Sequence, residues 1–228
     1  MKDKYLTRPE DRISIKRKIA VGAGGFPIQN GGLIVQYMAQ PIFQIFLGLN
    51  PALFGLAMTI PRIWDAFTDP IMGRISDRFK SKWGRRRPFV FFGSLLMALS
   101  FSFIWMVPKG LSETSIFLWL VISSILFFSA YTIYSVPCQA LAYEQTSDYH
   151  ERTRLMFYWA LFFNIGNLCV NWYLPATNLD IFQNTLVGAR WISLILGLFV
   201  FIGLGILPAI FGEERFYKVA EKSDRKIS

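Results

Sequence analysis

The chain has 228 residues, of which 53% are hydrophobic, 17% aromatic and 17% charged, and it carries a formal net charge of +9. Soluble domains carry about 25% charged residues, and apolar runs this long do not fit a soluble core, so the composition points to an integral membrane protein. The basic excess sits in a few connections, which argues against nucleic acid as its partner.

Six apolar segments follow in chain order, at about 17–46, 52–76, 88–107, 114–143, 153–174 and 188–211. Each reaches or approaches the roughly 20 residues that cross the hydrocarbon of a bilayer. The expected fold is therefore all-α and integral to the membrane, with six transmembrane helices. Residues 1–16 form a cytoplasmic N-terminal segment, 17–211 the bundle, and 212–228 a cytoplasmic tail or the start of a central loop. Lysine and arginine crowd into 1–18, 74–87, 152–154 and 215–226, whereas the opposite connections hold only Lys109 and Arg190. The positive-inside rule then places both termini in the cytoplasm of a multi-pass plasma-membrane protein. Cys138 and Cys169 fall inside spans and show no metal spacing, which argues against a disulfide framework.

The first span opens with Gly22, Gly24, Gly25, Pro27, Gly31 and Gly32, small residues that let helices approach closely. Gln29, Gln36, Gln40 and Gln44 form a polar stripe that lines either a cavity or a helix–helix contact. The second span contains Arg62-Ile63-Trp64-Asp65-Ala66-Phe67-Thr68-Asp69-Pro70. On a helix, Arg62, Asp65 and Asp69 share one face. Each charge costs roughly 2.5–3.5 kcal/mol at a span's centre, so such residues usually serve an ion path or a binding site. Two negative charges against one positive leave an excess that a proton or a metal cation can neutralise. Pro61 and Pro70 free the carbonyls of Ala57 and Ala66, and Pro137 frees that of Ile133. Broken helices beside acids are how transporters build ion sites.

The fourth span aligns Tyr131, Ser135 and Gln139 on one face. The fifth aligns Asn164, Asn167 and Asn171, with Tyr158 and Trp159 one to two turns earlier. Amides and indoles suit either helix–helix bonding or a sugar site, since amides bond hydroxyls and aromatic faces stack on pyranose rings. No nucleophile–base pair lies within a span, and the single His150 is outside, so an enzyme is not expected.

Arg62–Gly73 together with Ser76-Asp77-Arg78-Phe79-Lys80-Ser81-Lys82-Trp83-Gly84-Arg85-Arg86-Arg87-Pro88 closely resembles the glycoside–pentoside–hexuronide:cation symporters. These are the melibiose-permease-like branch of the major facilitator superfamily. Tyr131–Pro137 and Glu151–Arg154 extend the likeness. The resemblance implies a twelve-helix fold of two six-helix bundles, of which these spans make one, so that a second half or a partner chain completes it. It implies symport of a sugar or glycoside with Na⁺ or H⁺ across the lipid bilayer, with no cofactor. It places the cation on Asp65, Asp69 and the position of Ser135, the two aspartates acting as metal ligands where Na⁺ couples. Arg62, Tyr131, Gln139, Tyr158 and Asn164 are the substrate-binding candidates. The segment Gly73–Arg87 corresponds to a cytoplasmic gating loop, with Gly73, Asp77, Arg78, Gly84, Arg85 and Arg86 as its parts.

Three departures bear on this. Ser135 stands where melibiose permeases carry a third acid, which weakens a specific claim for Na⁺. A Lys-Asp pair of their first helix aligns with Phe26 and Pro27. The third is that only one bundle is present. The rival readings are a lysolipid or other amphiphile symporter of the same superfamily, and a non-transporting six-helix fragment that pairs with another chain.

Overall fold

The computed structural model describes residues 11–214; the basic residues of 1–8 and of 215–226 lie outside the described residues. It is all-helical there. The first span comprises α1 (Ile15–Gly22), α2 (Gly25–Ala39) and a π-helical segment (Gln40–Phe46). Pro41, in the first turn of that segment, has no N–H to return to the preceding turn, and the helix widens there. The second to fifth spans are the single helices α3 (Pro51–Arg78), α4 (Arg87–Ile104), α5 (Glu113–Tyr143) and α6 (Tyr149–Thr177). The sixth is α7 (Thr185–Leu196), a second π-helical segment (Gly197–Leu204) and α8 (Leu207–Phe211).

Among the described residues, three stretches are long and apolar enough to cross a membrane on length and composition alone: Arg87–Ile104, Glu113–Tyr143 and Thr185–Phe211. The other three spans are diluted by charges and amides, above all in α3 and α6. Polar residues at membrane depth usually face a bundle interior or a cavity.

The prolines do not break the helices that contain them. α3 runs unbroken through Pro61 and Pro70, and α5 through Pro137. Losing one backbone bond is tolerable where neighbouring helices hold the axis. The interruptions fall in the first and sixth spans instead, at Ala23–Gly24 and Gly205–Ile206.

α5 packs between α3 and α4, α2 lies along α6, and the second π-helical segment closes on α4. Phe101 joins Trp105, Phe127 and Phe201 at ring-centroid distances of 5.9, 5.6 and 5.2 Å, all four rings fully buried. Such aromatic pairs add about 0.5–1.5 kcal/mol beyond their burial. The small residues of the first span do allow close approach. A Cβ on Gly22 would meet Tyr158 at 2.9 Å, one on Gly25 the Trp159 carbonyl at 2.8 Å, and one on Gly31 the Tyr131 ring at 2.7 Å.

Candidate functional site

α3 starts at Asn50, whose side chain accepts the Ala52 N–H at 2.8 Å, with Pro51 in the first turn. From that start, the helical period carries Arg62, Asp65 and Asp69 onto the side facing α2 and α5. Arg62 donates to the carbonyl of Gly32 on α2 at 3.1 Å, and its guanidinium lies 4.8 Å from the centre of the Phe128 ring on α5. It stands 3.9 Å from Asp65, the loose end of an ion pair, and its side chain is 47% exposed. The Asp65 side chain is only 16% exposed, and its Oδ1 is buried with no hydrogen-bond partner among the described residues. Asp69 is exposed at the same face and accepts a bond from the Thr132 hydroxyl at 2.8 Å.

Beside this row runs a cleft of about 360 Å³, lined by Val35, Gln36, Met58, Thr59, Arg62 and Phe128. One wall is apolar and the other offers an amide, a hydroxyl and a cation. The arrangement suits a ligand with both apolar and hydroxyl or anionic character. The two acids beside it suit a small cation or a proton, because Asp65 Oδ1 has unused acceptor capacity.

The structure distributes the sequence candidates unevenly. Arg62 and Asp65 are brought together, and Asp69 sits one turn further on. Tyr131 packs against Gly31 and Gly32 on α2. Ser135 is buried without a hydrogen bond to either acid among the described residues; Thr132, three residues earlier and so one helical turn away, reaches Asp69 instead. Gln139 is exposed. Tyr158 lies where α6 crosses α1, and the Asn164 amide donates to Ala160 within its own helix at 2.7 Å, so neither lines the Arg62 cleft. The glutamine stripe divides. Gln29 bonds Asn167 across α2 and α6 at 3.1 Å, whereas Gln36 lines the cleft. Thr132 and Phe128 were not singled out by pattern, and Gly32 was read only as a small contact residue. Thr132 could have been found, since it follows Tyr131 directly and lies one turn ahead of Ser135.

The gating-loop candidates occupy a second site, at the other end of α3. Gly73, Asp77 and Arg78 are helical, in the last two turns of α3, and not in a loop. The helix runs on to Arg78, whose charge suits a helix C-terminus, and the Phe79 N–H still bonds the Ile75 carbonyl. Asp77 takes Arg86 at 2.5 Å, and Glu144 takes Arg85 at 2.7 Å and Arg86 at 2.8 Å. Arg78 is exposed and has no ion pair among the described residues. Glu214 accepts the backbone N–H groups of Arg85, Arg86 and Arg87 at 2.8, 2.8 and 3.3 Å. Gly84 turns the chain there with φ +107°. Nearby, Glu151 holds the Ile13 amide at 2.8 Å, Lys18 at 2.6 Å and Arg154 at 3.3 Å. Glu144 and Glu214 were not expected from pattern, because glutamates just past a span read as ordinary surface residues.

An acid pair within a spanning helix, and an arginine cluster fastened where that helix ends, sit in an all-α six-span bundle of the integral-membrane class. The chain belongs to the MFS/sugar transport protein family, whose model matches residues 20–226, in its melibiose-permease-like branch of sugar–cation symporters. It is a multi-pass membrane protein of a transporter family and not an enzyme. It is 34% identical to "Uncharacterized symporter sll1374" of Synechocystis over 151 residues, 64% of this chain and 28% of that protein. Over 151 residues it is 29% identical to "Sodium-dependent lysophosphatidylcholine symporter 1" of Mus musculus, again 64% and 28%. Over 164 residues it is 27% identical to "Putative glycoside/cation symporter YagG" of Escherichia coli, 70% of this chain and 35% of that protein. The chain spans less than half the length of the curated relatives it matches, 28% to 48% among four of them.

Proposed function

We propose that this chain supplies one half of a cation-coupled symporter for a sugar or glycoside, with Na⁺ or H⁺ as the coupling ion. The observation that carries the reading is the buried, unpartnered Oδ1 of Asp65 beside Arg62 and Asp69. Asp65 and Asp69 hold the cation or proton, Thr132 orients Asp69, and Arg62 with Gln36 and Thr59 meets substrate hydroxyls in the cleft. Binding of the cation offsets the excess negative charge and favours closure around substrate. Coupling then comes from the difference in affinity between outward- and inward-facing states. A second six-helix half, in the same or another chain, closes the site from the opposite side. Both termini lie in the cytoplasm and the protein resides in the plasma membrane. In a complete two-bundle transporter, Asp65→Asn abolishes cation-stimulated uptake while leaving insertion intact; unchanged cation stimulation overturns the reading.

One observation favours an amphiphile as the cargo. Val35, Met58 and Phe128 make an apolar wall directly beside the Arg62 guanidinium, a pairing that fits an acyl chain and an anionic headgroup. Competition for binding by glycosides against lysolipids separates the two cargoes. A six-helix fragment that pairs with another chain without transporting would bind neither.

A further inference from the structure

α4 begins at Arg87 with no side-chain cap of its own. Helix N-termini leave backbone N–H groups unsatisfied and carry a partial positive charge, so a carboxylate placed there is favoured. Glu214 supplies that carboxylate from 127 residues further along the chain, accepting the successive amides of Arg85, Arg86 and Arg87. It is 4% exposed. Gly84 makes room for it: a Cβ at that position would lie 2.9 Å from the Glu214 carboxylate, and its φ of +107° is one that other residues adopt only with strain.

The neighbouring contacts continue the fastening. Glu213 pairs with Arg17 of α1, and its backbone exchanges two bonds with the Gln145 side chain at 3.0 and 3.1 Å. The Arg87 side chain donates to the carbonyls of Ala209 and Ile210, in α8 at the end of the sixth span, at 2.5 and 2.9 Å. The exit from the sixth span is thus attached to the start of the third. The backbone at Arg85–Arg86 whose amides Glu214 grips is the same backbone whose guanidinium groups reach Glu144 and Asp77.

We infer that Glu214 is the positioning residue of the arginine gate: its carboxylate, seated on three amides in the Gly84 turn, sets the direction in which Arg85 and Arg86 reach for Glu144 and Asp77. The chain leaving the sixth span and the state of the gate then move as one unit. Withdrawing Glu214 releases both arginines, whereas breaking an arginine–acid contact leaves the amides held. The inference rests on the transporter reading only for its consequence in transport, since the fastening itself is readable without a substrate.

The test is hydrogen exchange by mass spectrometry on the full chain in detergent micelles. Glu214→Ala is expected to speed exchange at the Arg85–Arg87 amides at least about tenfold, and to loosen the corner at 144–146, with the middle of α3 and α5 unchanged. Glu144→Gln is expected to loosen the corner alone. Gly84→Ala, which crowds the carboxylate out while keeping it in the chain, is expected to reproduce Glu214→Ala. Glu214→Gln, which keeps an acceptor oxygen, is expected to restore part of the protection. Unchanged exchange at Arg85–Arg87 in Glu214→Ala overturns the inference. So does Glu144→Gln loosening those amides as much as Glu214→Ala, because the guanidinium contacts would then hold the loop. Should Glu214→Ala fail to fold, Gly84→Ala and Glu214→Gln carry the same comparison. Loss of cation-stimulated uptake in Asp65→Asn is read separately, so either proposal can fail while the other stands.

Discussion

The two charged regions of this bundle use the same chemistry to opposite ends. At the end of α3, every described carboxylate in the cluster has partners: Asp77 and Glu144 hold Arg86, Glu213 holds Arg17, and Glu214 holds three amides. In the middle of α3, Arg62 and Asp65 meet only at 3.9 Å and one oxygen of Asp65 has no hydrogen-bond partner among the described residues. An ion cluster whose carboxylates are all paired is a structural joint, even though Arg86 Nη1 makes its ion pair with Glu144 without a hydrogen bond. Burying an unpaired polar group costs about 1–3 kcal/mol, which is the ground on which we propose that Asp65 receives a cation or proton. The difference lies in how far the carboxylates are paired, and it sets the cluster that fastens apart from the proposed binding site.

That contrast can be broken at either end. The largest loss of stability is expected from Arg86→Ala. Its side chain is 7% exposed, and removal leaves the half-exposed Asp77 without its arginine while Glu144 keeps only Arg85, at about 3 kcal/mol, the low end for a broken buried pair. Thermal unfolding in detergent should show a clear drop; a neutral result would mean that the cytoplasmic cluster is no joint. Next comes Gly31→Ala, whose Cβ would meet the Tyr131 ring at 2.7 Å and push α2 from α5 at about 1–3 kcal/mol. Gly32→Ala, with only an ordinary 3.5 Å contact to the Tyr131 hydroxyl, should be tolerated in the same assay and so sharpens the pair.

Arg62→Ala is expected to cost under about 1 kcal/mol of stability, because the side chain is half exposed and contributes one carbonyl bond and a stacking contact. In a complete transporter it should nevertheless lose substrate binding, measured by ligand-induced shift of the unfolding temperature. The smallest effect on stability is expected from Asp65→Asn, which removes a charge without removing volume. If its unfolding temperature falls as far as that of Arg86→Ala, then Asp65 is a structural residue and the comparison fails.

Much of the candidate site was legible beforehand, for a local reason. Residues three and four apart on a helix share a face whatever surrounds them, so the row of Arg62, Asp65 and Asp69 needed no tertiary information. The glycines of the first span were readable as close contacts on the same footing, although not what they would touch. Ser135 shows the limit. Helical spacing and the family resemblance both pointed to it, whereas the rotation of α5 against α3 puts Thr132 on Asp69. The prolines show another limit, because whether a lost backbone bond breaks a helix depends on what braces it.

From its sequence alone this protein is a six-span membrane bundle with charges at membrane depth in the second span and a basic connection after it. Hydrophobic run length and helical period are properties of neighbouring residues, and they determine that much. Which charges find partners is a property of helix crossings between residues far apart: Thr132 meets Asp69 across 63 positions, and Glu214 meets Arg86 across 128. Only the tertiary structure decided that Glu214 closes on the arginine turn, and that Asp65 is left with an oxygen to offer.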